Sequence, residues 1–404
     1  MSETDVRPAA PTTTLGERLD AATGHLPAPL VVLDLDALEA NATDLVRRAG
    51  GTPVRLATKS VRVREIVRRV LATPGFAGVM AYSPWEALWL AGQGVRDVLV
   101  GYPTADPRAL AAIAADPVAS AAVTLMVDDP VQVALASAAA TAHGAQLALC
   151  LDVDASLRLR LGPVSAHLGV RRSPVHTPAE AAALARLVAQ RPGVRLRGVM
   201  FYEAQVAGLP DTSPAVRAVK RLSVADLAVR RGRVVAAVQD AVGHDLELVN
   251  SGGSGSVESS VSDPTVSEVT AGSGLYVPTL FDGYRAFVPR PAAYLGLDVV
   301  RVPGPGYATV FGGGYVASGP STRSRLPLPV WPAGLRLTGR EGAGEVQTPL
   351  RVADGGDLRV GDRVWFRHAK AGEAMERFDV VHLVRGSGLE ATVPTYRGEG
   401  KAFG

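Results

Sequence analysis

The sequence predicts an α/β chain, a (β/α)8 TIM-type barrel followed by an antiparallel β domain. Three observations predict it. From about residue 30 to 275, short β-branched runs alternate with Ala/Leu/Arg-rich helical patterns, the signature of a parallel sheet. Eight such units over roughly 240 residues suit a closed barrel better than an open doubly wound sheet. After about residue 280 the texture changes: Pro and Gly become dense and helical periodicity fades.

In chain order, the strand candidates of the first part are "LVVLDL", "VRLAT", "GVMAY", "DVLVG", "VTLMV", "LALCLDV", "LRGVMF" and "LELVN". The first of these also suits the second domain. Helical patterns lie between them, as in "DALEANATDLVRR", "PWEALWLAGQ" and "AEAAALARLVAQ". In the second part, "LGLDVVRV", "YATVF", "GDRVWFRH" and "DVVHLVRG" read as antiparallel strands. The expected domains are therefore residues 26–280 for the barrel and 281–404, joined by 1–25, for the β domain.

Composition narrows the function. The chain has 404 residues, 47% of them hydrophobic, enough for a large core, and a formal charge of only +3. Arginines are scattered rather than run together, which argues against a nucleic-acid partner. The single cysteine, Cys150, lies in the apolar run "LALCL" and reads as a core residue. The N-terminal stretch is polar and lacks the apolar core of a secretory signal. No run of about twenty apolar residues occurs, so the expectation is a cytoplasmic protein with no membrane partner.

In such a barrel, polar groups that do chemistry collect at the C-terminal ends of strands. Read in order, these ends carry Lys59, Tyr82, Tyr102, Asp152, Tyr202 with Glu203 and Gln205, and Asn250. A lysine directly after "VRLAT" is either a surface charge or a nucleophile at the barrel mouth. Two small-residue turns follow the late strands, "NSGGSGSVESS" from Asn250 and "TAGSGLY" from Thr270. Glycine lets backbone N–H groups approach an anion closely, so two such turns match a barrel phosphate site. Neither contains the G-K-[ST] of a P-loop. A phosphate cradle opposite a strand-end lysine points to pyridoxal phosphate, whose aldehyde condenses with an amine and whose phosphate anchors it.

With these residues in view, the chain resembles the fold-type III pyridoxal-phosphate enzymes. Within them it is similar to the D-threonine aldolase and D-serine dehydratase branch, which shares an alanine racemase-like N-terminal barrel. The resemblance rests on "APLVVLDLDALEAN", the lysine of "LATKS", "SPWEALWLAGQGVRDVLVGYP", the glycine turns and the C-terminal β domain. It implies that Lys59 is the Schiff-base lysine. It places Ser254, Gly255, Ser256, Ser273 and Gly274 nearest the phosphate, with Tyr82, Tyr202, Asn250 and Tyr276 as further cofactor contacts. An arginine or histidine from the segment after "LDV" is implied as well; Arg158, His167 and Arg171 compete for that role.

Relatives in this branch bind a divalent metal through His-x-Cys or His-x-Asp near the C-terminus. The matching stretch here is "RHAKAGEAMERFD", with His368 kept and Lys370 at the second ligand position. An ammonium repels a dication. Either Glu373 joins His368 to hold Mn, Mg or Zn, or the metal is gone and His368 or Lys370 acts alone. The implied activity is a lyase on a β-hydroxy-α-amino acid of D configuration, by retro-aldol cleavage or by dehydration. Lys59, His368 and Lys370 are its candidate catalytic residues, and the site is completed in a homodimer. The alternatives are an amino-acid racemase, with Tyr284, Tyr307 or Tyr315 as second base, a non-catalytic pyridoxal-phosphate carrier, and a sugar-phosphate barrel enzyme.

Overall fold

The computed structural model describes residues 13–403 except 162–163, 286, 289, 321, 354–355 and 371. Eight parallel strands close into a barrel: Val54–Ala57, Phe76–Ala81, Val98–Val100, Val123–Val127, Leu147–Val153, Val194–Phe201, Leu248–Ser251 and Glu268–Ala271. Closure is made by the last strand pairing with the first, Val269 opposite Val54 and Ala271 opposite Leu56. The helices between the strands start where the chain has a cap residue followed by proline. Ser83, Asp106, Asp129, Thr177 and Ser213 each accept a hydrogen bond from the first turn of the helix they precede, and a proline follows each. Proline costs nothing there, because the N–H it lacks has no partner in a first turn.

The barrel interior is layered. Leu99, Met126, Cys150, Met200 and Leu248 form a buried apolar cluster inside it. Cys150 is fully buried, and burial raises its thiol pKa, which agrees with a core role. Beside this cluster lies an ionic one. Arg55, 1% exposed, binds Glu268 through Nε (2.5 Å) and Nη2 (2.8 Å), and Asp97 through Nη2 (2.8 Å). Arg197 completes it on Asp97 and Thr124.

Two expectations are corrected here. The strand Leu30–Asp34 is not a barrel strand: it pairs antiparallel with Ala293–Gly304 and parallel with Val380–Arg385, inside the second sheet. The eighth barrel strand is instead Glu268–Ala271, a four-residue run that reads in the sequence as the approach to a glycine turn. It carries Glu268 inward because Arg55 is there to neutralise it.

Among the described residues the second sheet has nine strands, including Tyr307–Phe311, Gln347–Arg351 and Arg363–Arg367. Leu19 and Ala22 of the Leu15–Thr23 helix pack on it with Tyr294, Trp365 and Val384. The loop after Arg363–Arg367 reaches the barrel mouth. The carbonyls of His368 and Ala369 accept hydrogen bonds from the Thr279 and Leu280 N–H groups. Gly372 lies so close to the barrel that a Cβ there would sit 2.6 Å from the Ser60 backbone. Only glycine fits this approach, and it holds Lys370 over the barrel. Among the described residues no helix is long and apolar enough to cross a membrane.

Candidate active site

Lys59 lies in a one-turn helix, Thr58–Ser60, directly after the first barrel strand. The turn is held from two sides. The Thr58 hydroxyl donates to the Met80 carbonyl (3.0 Å), and Arg62 Nε donates to the Lys59 carbonyl (3.1 Å). Arg62 itself has φ +53°, a left-handed conformation that a non-glycine residue holds only when its surroundings fix it, and its guanidinium is tied to Glu376 at 2.7 Å.

The Lys59 amine points into a cavity of about 190 Å³ at the barrel mouth. It donates to the Tyr102 hydroxyl at 2.5 Å and lies 5.9 Å from the Tyr202 ring centre. The Arg172 guanidinium stacks against both rings, 5.7 Å from Tyr102 and 5.5 Å from Tyr202. Burial pushes the Tyr102 phenol up, but the Lys59 charge, its hydrogen bond and Arg172 outweigh this and bring the pKa below the ordinary tyrosine value.

The wall beside Lys59 is built from the two small-residue turns. Gly252, Gly253, Ser254, Gly272 and Ser273 line it. Ser254 Oγ accepts from the Gly272 N–H (3.2 Å) and the Gly274 N–H (2.9 Å), which locks one turn to the other. At Gly272 a Cβ would sit 2.5 Å from the Ala57 carbonyl oxygen, so the turn can lie against the Lys59 strand only as glycine. Glu203, 2% exposed, fastens the first turn from behind: it accepts from the Ser251 hydroxyl (2.9 Å), the Gly252 N–H (3.1 Å) and the hydroxyls of Ser256 and Ser260. The turns set small residues and the Ser254 and Ser273 hydroxyls beside the Lys59 amine, a wall that the phosphate of pyridoxal phosphate can approach closely.

The residues expected from the sequence separate into groups. Lys59, Tyr202, Asn250, Ser254, Ser273 and Lys370 line the cavity. Asn250 Nδ2 also donates to Glu268 (2.6 Å) and Thr270 (2.8 Å), tying the site to the barrel's ionic cluster. Gly274 is buried behind the turn. Gly255 and Ser256 face a different depression with Asp211 and Lys220, so neither lines the Lys59 cavity. Tyr276 is fully buried and donates to the Val61 carbonyl at 3.1 Å. Arg158 and His167 sit opposite each other on the hairpin of Leu157–Leu161 and Val164–Leu168. With Arg171 they line an adjacent depression, and Arg172 is the residue that lines both spaces.

Tyr82 turns away from the cavity. Arg62 packs on its ring at 5.0 Å, and burial raises its phenol pKa. Its N–H donates to Oε2 of Glu86 at 2.7 Å. Burial pushes the Glu86 carboxyl up to about 7, against the opposing hydrogen bonds and Arg62. An acid whose folded pKa lies above its unfolded value contributes stability at low pH and loses it as pH rises through that interval. Glu86 therefore destabilises the fold progressively from about pH 4.5 to 7, by about 3 kcal/mol in full. Glu86→Gln keeps the acceptor and removes the charge. Calorimetry is expected to show it gaining stability over the wild type at pH 8 and gaining little at pH 5; a pH-independent difference contradicts this origin.

His368 is buried behind the cavity wall, edge-on to Tyr276, and neither ring nitrogen makes a hydrogen bond of normal geometry with a described residue. Burial lowers its pKa to about 3, Arg367 adds to this, and a weak interaction with the Ala293 backbone opposes it. Lys370 does reach the cavity, its ammonium held by the Ser318 hydroxyl (3.0 Å) and carbonyl (3.3 Å). Burial lowers its pKa; Glu373 opposes, while Arg325 and Lys59 add. Glu373 Oε2 accepts the Ser318 N–H at 2.9 Å. Among the described residues no three His, Cys, Asp or Glu side chains cluster as metal ligands. The expected pairing of His368 with Glu373 thus has no third donor, a lysine stands between them in sequence, and the donor set does not fit a divalent cation.

Of the tyrosines considered as a second base, Tyr284 lines the cavity, but its hydroxyl donates to the Ala207 carbonyl (2.7 Å) and burial raises its pKa. Tyr307 is exposed on the second sheet, and Tyr315 borders the His368 pocket. Arg172 is a site residue that the sequence does not single out, and Tyr102 stands in it only as one strand-end tyrosine among several, without a role. The "GVRRSP" run offered two adjacent arginines with nothing to rank them, and Tyr102 follows a strand like the other tyrosines.

Comparison with known proteins agrees with this geometry. The model of the alanine racemase N-terminal domain matches residues 33–279. A 3-hydroxy-D-aspartate aldolase of Paracoccus denitrificans (strain Pd 1222) is 26% identical over 251 residues, 62% of this chain and 60% of that protein. A D-threonine aldolase of Arthrobacter sp. is 27% identical over 266 residues, 64% of this chain and 65% of that protein. The match thus spans less than two thirds of these relatives' length. The crystal structure of a D-threonine aldolase from Filomicrobium marinum superposes with a TM-score of 0.79 at 23% identity, covering 92% of this chain and 96% of that one. At that identity the likeness is one of fold.

Proposed function

The chain belongs to the alanine racemase N-terminal domain family, of the fold-type III pyridoxal-phosphate architecture, and we propose on that premise that it is a pyridoxal-phosphate-dependent lyase cleaving a β-hydroxy-α-amino acid of D configuration by retro-aldol chemistry. The observation that carries the reading is the Lys59 amine, 2.5 Å from the Tyr102 hydroxyl, on the floor of a cavity walled by two glycine turns. Both curated relatives reported above are named as aldolases, which supports the reaction class.

Pyridoxal phosphate, when bound, supplies an aldehyde for amine condensation and a ring that takes up the electron pair of the breaking bond. The chain's own groups do the rest. Lys59 supplies the resident amine. The turns at 252–254 and 272–274 hold the phosphate, and Glu203 keeps the first of them in shape. Tyr102 Oη, its pKa brought below the ordinary tyrosine value beside Lys59 and Arg172, is the group that in its phenolate form would take the proton of the substrate β-hydroxyl. Arg172 presents a carboxylate-binding fork beside it.

Cleavage is favoured over dehydration by what the site contains. Retro-aldol cleavage asks only for a base at the β-hydroxyl. Expulsion of that hydroxyl also needs a proton donor or a Lewis acid at the leaving oxygen, and among the described residues no three His, Cys, Asp or Glu side chains cluster to hold a metal there. The reading extends to a cytoplasmic homodimer, as the resemblance implies, although Lys370 lines the Lys59 cavity from within the same chain.

The test incubates the cofactor-loaded protein with β-hydroxy-D-amino acids and assays aldehyde and 2-oxo acid separately. Aldehyde release is expected, unchanged by EDTA. Release of 2-oxo acid with ammonia instead of aldehyde contradicts the reading, as does activity lost to EDTA and restored by a divalent metal.

A further inference from the structure

The first glycine turn is held from outside the cavity by two buried arginines. Arg48 ends the helix Leu35–Arg48, where a cation is favoured beside the last carbonyls. Its side chain is 2% exposed. Nη2 donates to the Ser254 carbonyl at 2.9 Å, while Nε (2.5 Å) and Nη2 (2.8 Å) donate to the Glu258 carboxylate. The Phe287 ring covers the guanidinium at 4.2 Å. Arg231 reaches the start of the turn from the helix Pro214–Val242. It pairs with Asp263 and donates through Nη2 to the Ser251 hydroxyl at 2.9 Å, lying over the Phe201 ring. That hydroxyl donates in turn to Glu203 at 2.9 Å. Neither arginine lines the Lys59 cavity. Each charge is already matched by a carboxylate, so these groups shape the turn rather than attract an anion themselves.

Between and beside these anchors lie Gly252, Gly253 and Gly255, and Gly252 has φ +93°. Such a run loses much conformational entropy when it is ordered. A phosphate that had to order it would bind weakly, whereas a turn already held presents its donors in place. The anchors also aim those donors. Across a planar trans peptide the carbonyl and the next N–H point in opposite directions. Arg48 on the Ser254 carbonyl therefore turns the Gly255 N–H away from itself. No described residue accepts the N–H of Ser254 or of Gly255. Ser254 is 4% exposed and lines the cavity, and a buried N–H calls for an acceptor. We propose, resting on the pyridoxal-phosphate reading above, that Arg48 and Arg231 are positioning residues for the cofactor's phosphate. They pin the turn at Ser251 and Ser254 and set how tightly the phosphate is held, without touching the reacting atoms.

The test titrates full-length, cofactor-free protein with pyridoxal phosphate and with pyridoxal, which lacks the phosphate, and follows the visible absorbance. Arg48→Met is expected to weaken pyridoxal phosphate by roughly 10- to 100-fold, the loss of a hydrogen bond from a charged donor. Pyridoxal affinity, and kcat at saturating cofactor, are expected to stay within about threefold, because the Lys59 side of the site is untouched. The freed Glu258 side chain is 42% exposed and takes up water, so the fold is expected to survive. Arg48→Lys keeps one donor for the carbonyl and is expected to fall between the two. Arg231→Met is made together with Asp263→Asn, since Asp263 is 5% exposed and a lone buried charge destabilises the fold. The same selective loss is expected there. If the wild type binds pyridoxal phosphate and both variants bind it equally well, or lose pyridoxal to the same extent, the inference is overturned and the cofactor reading stands. A wild type that takes up no pyridoxal phosphate contradicts the cofactor reading itself and removes the inference with it.

Discussion

Replacing Lys59 by alanine is expected to lower kcat/KM for the β-hydroxy-D-amino acid by on the order of 10³-fold or more, while the glycine turns still retain pyridoxal phosphate. The amine is the reacting atom of the site. It sits on a turn fixed by the Met80 carbonyl, by Arg62 and by the close approach of Gly372. No other described primary amine but Lys370 lines the cavity, and Lys370 is engaged by Ser318 on the opposite side. Lys59→Arg is expected to be as inactive as alanine, because a guanidinium keeps its proton and cannot condense with an aldehyde. Partial recovery of Lys59→Ala in millimolar methylamine separates loss of the amine from loss of the fold. A Lys59→Ala variant with near wild-type kcat/KM contradicts the assignment.

The largest expected effect on stability lies at Arg55. Arg55→Met removes the cation that neutralises Glu268 and Asp97 inside the barrel, and leaves the Glu268 carboxylate with Asn250 as its remaining described partner. Breaking a buried pair from one side costs about 3–5 kcal/mol, whereas removing both partners costs much less. Arg55→Met is therefore expected to lower Tm by roughly 4–6 °C. The double variant Arg55→Met/Glu268→Leu is expected to recover part of that loss. If the double variant is the less stable of the two, the ionic cluster contributes net stability rather than merely satisfying itself. Asn250 links this cluster to the cavity, so kcat/KM is expected to fall in the single variant even below its Tm.

What was legible in the sequence was whatever a local pattern encodes. The barrel class, most of its strands and the texture change near residue 280 follow from hydrophobic period and glycine spacing. The lysine after "VRLAT" and the two glycine turns were recognisable because their chemistry is carried by residue type and position at strand ends. Three things were not legible. The strand Leu30–Asp34 has the same β-branched composition as a barrel strand, and nothing local says that Ala293–Gly304 and Val380–Arg385 enclose it. Glu268–Ala271 is short and begins with a charge, which reads as a turn until Arg55, more than 200 residues earlier, is seen to neutralise it. The choice of Arg172 over Arg158 and Arg171 depends on which guanidinium reaches the Tyr102 and Tyr202 rings, a matter of backbone path. His368 shows the opposite case: its residue type suggested a ligand, yet it is buried edge-on to Tyr276.

The account depends most on the covalent partner of the cofactor. The direct measurement is borohydride reduction of the purified protein loaded with pyridoxal phosphate, followed by peptide mapping by mass spectrometry. A single phosphopyridoxyl group on Lys59 is expected, with bleaching of the visible absorbance. The modification landing on Lys370 or any other lysine, or no reducible adduct at all, contradicts the site described here.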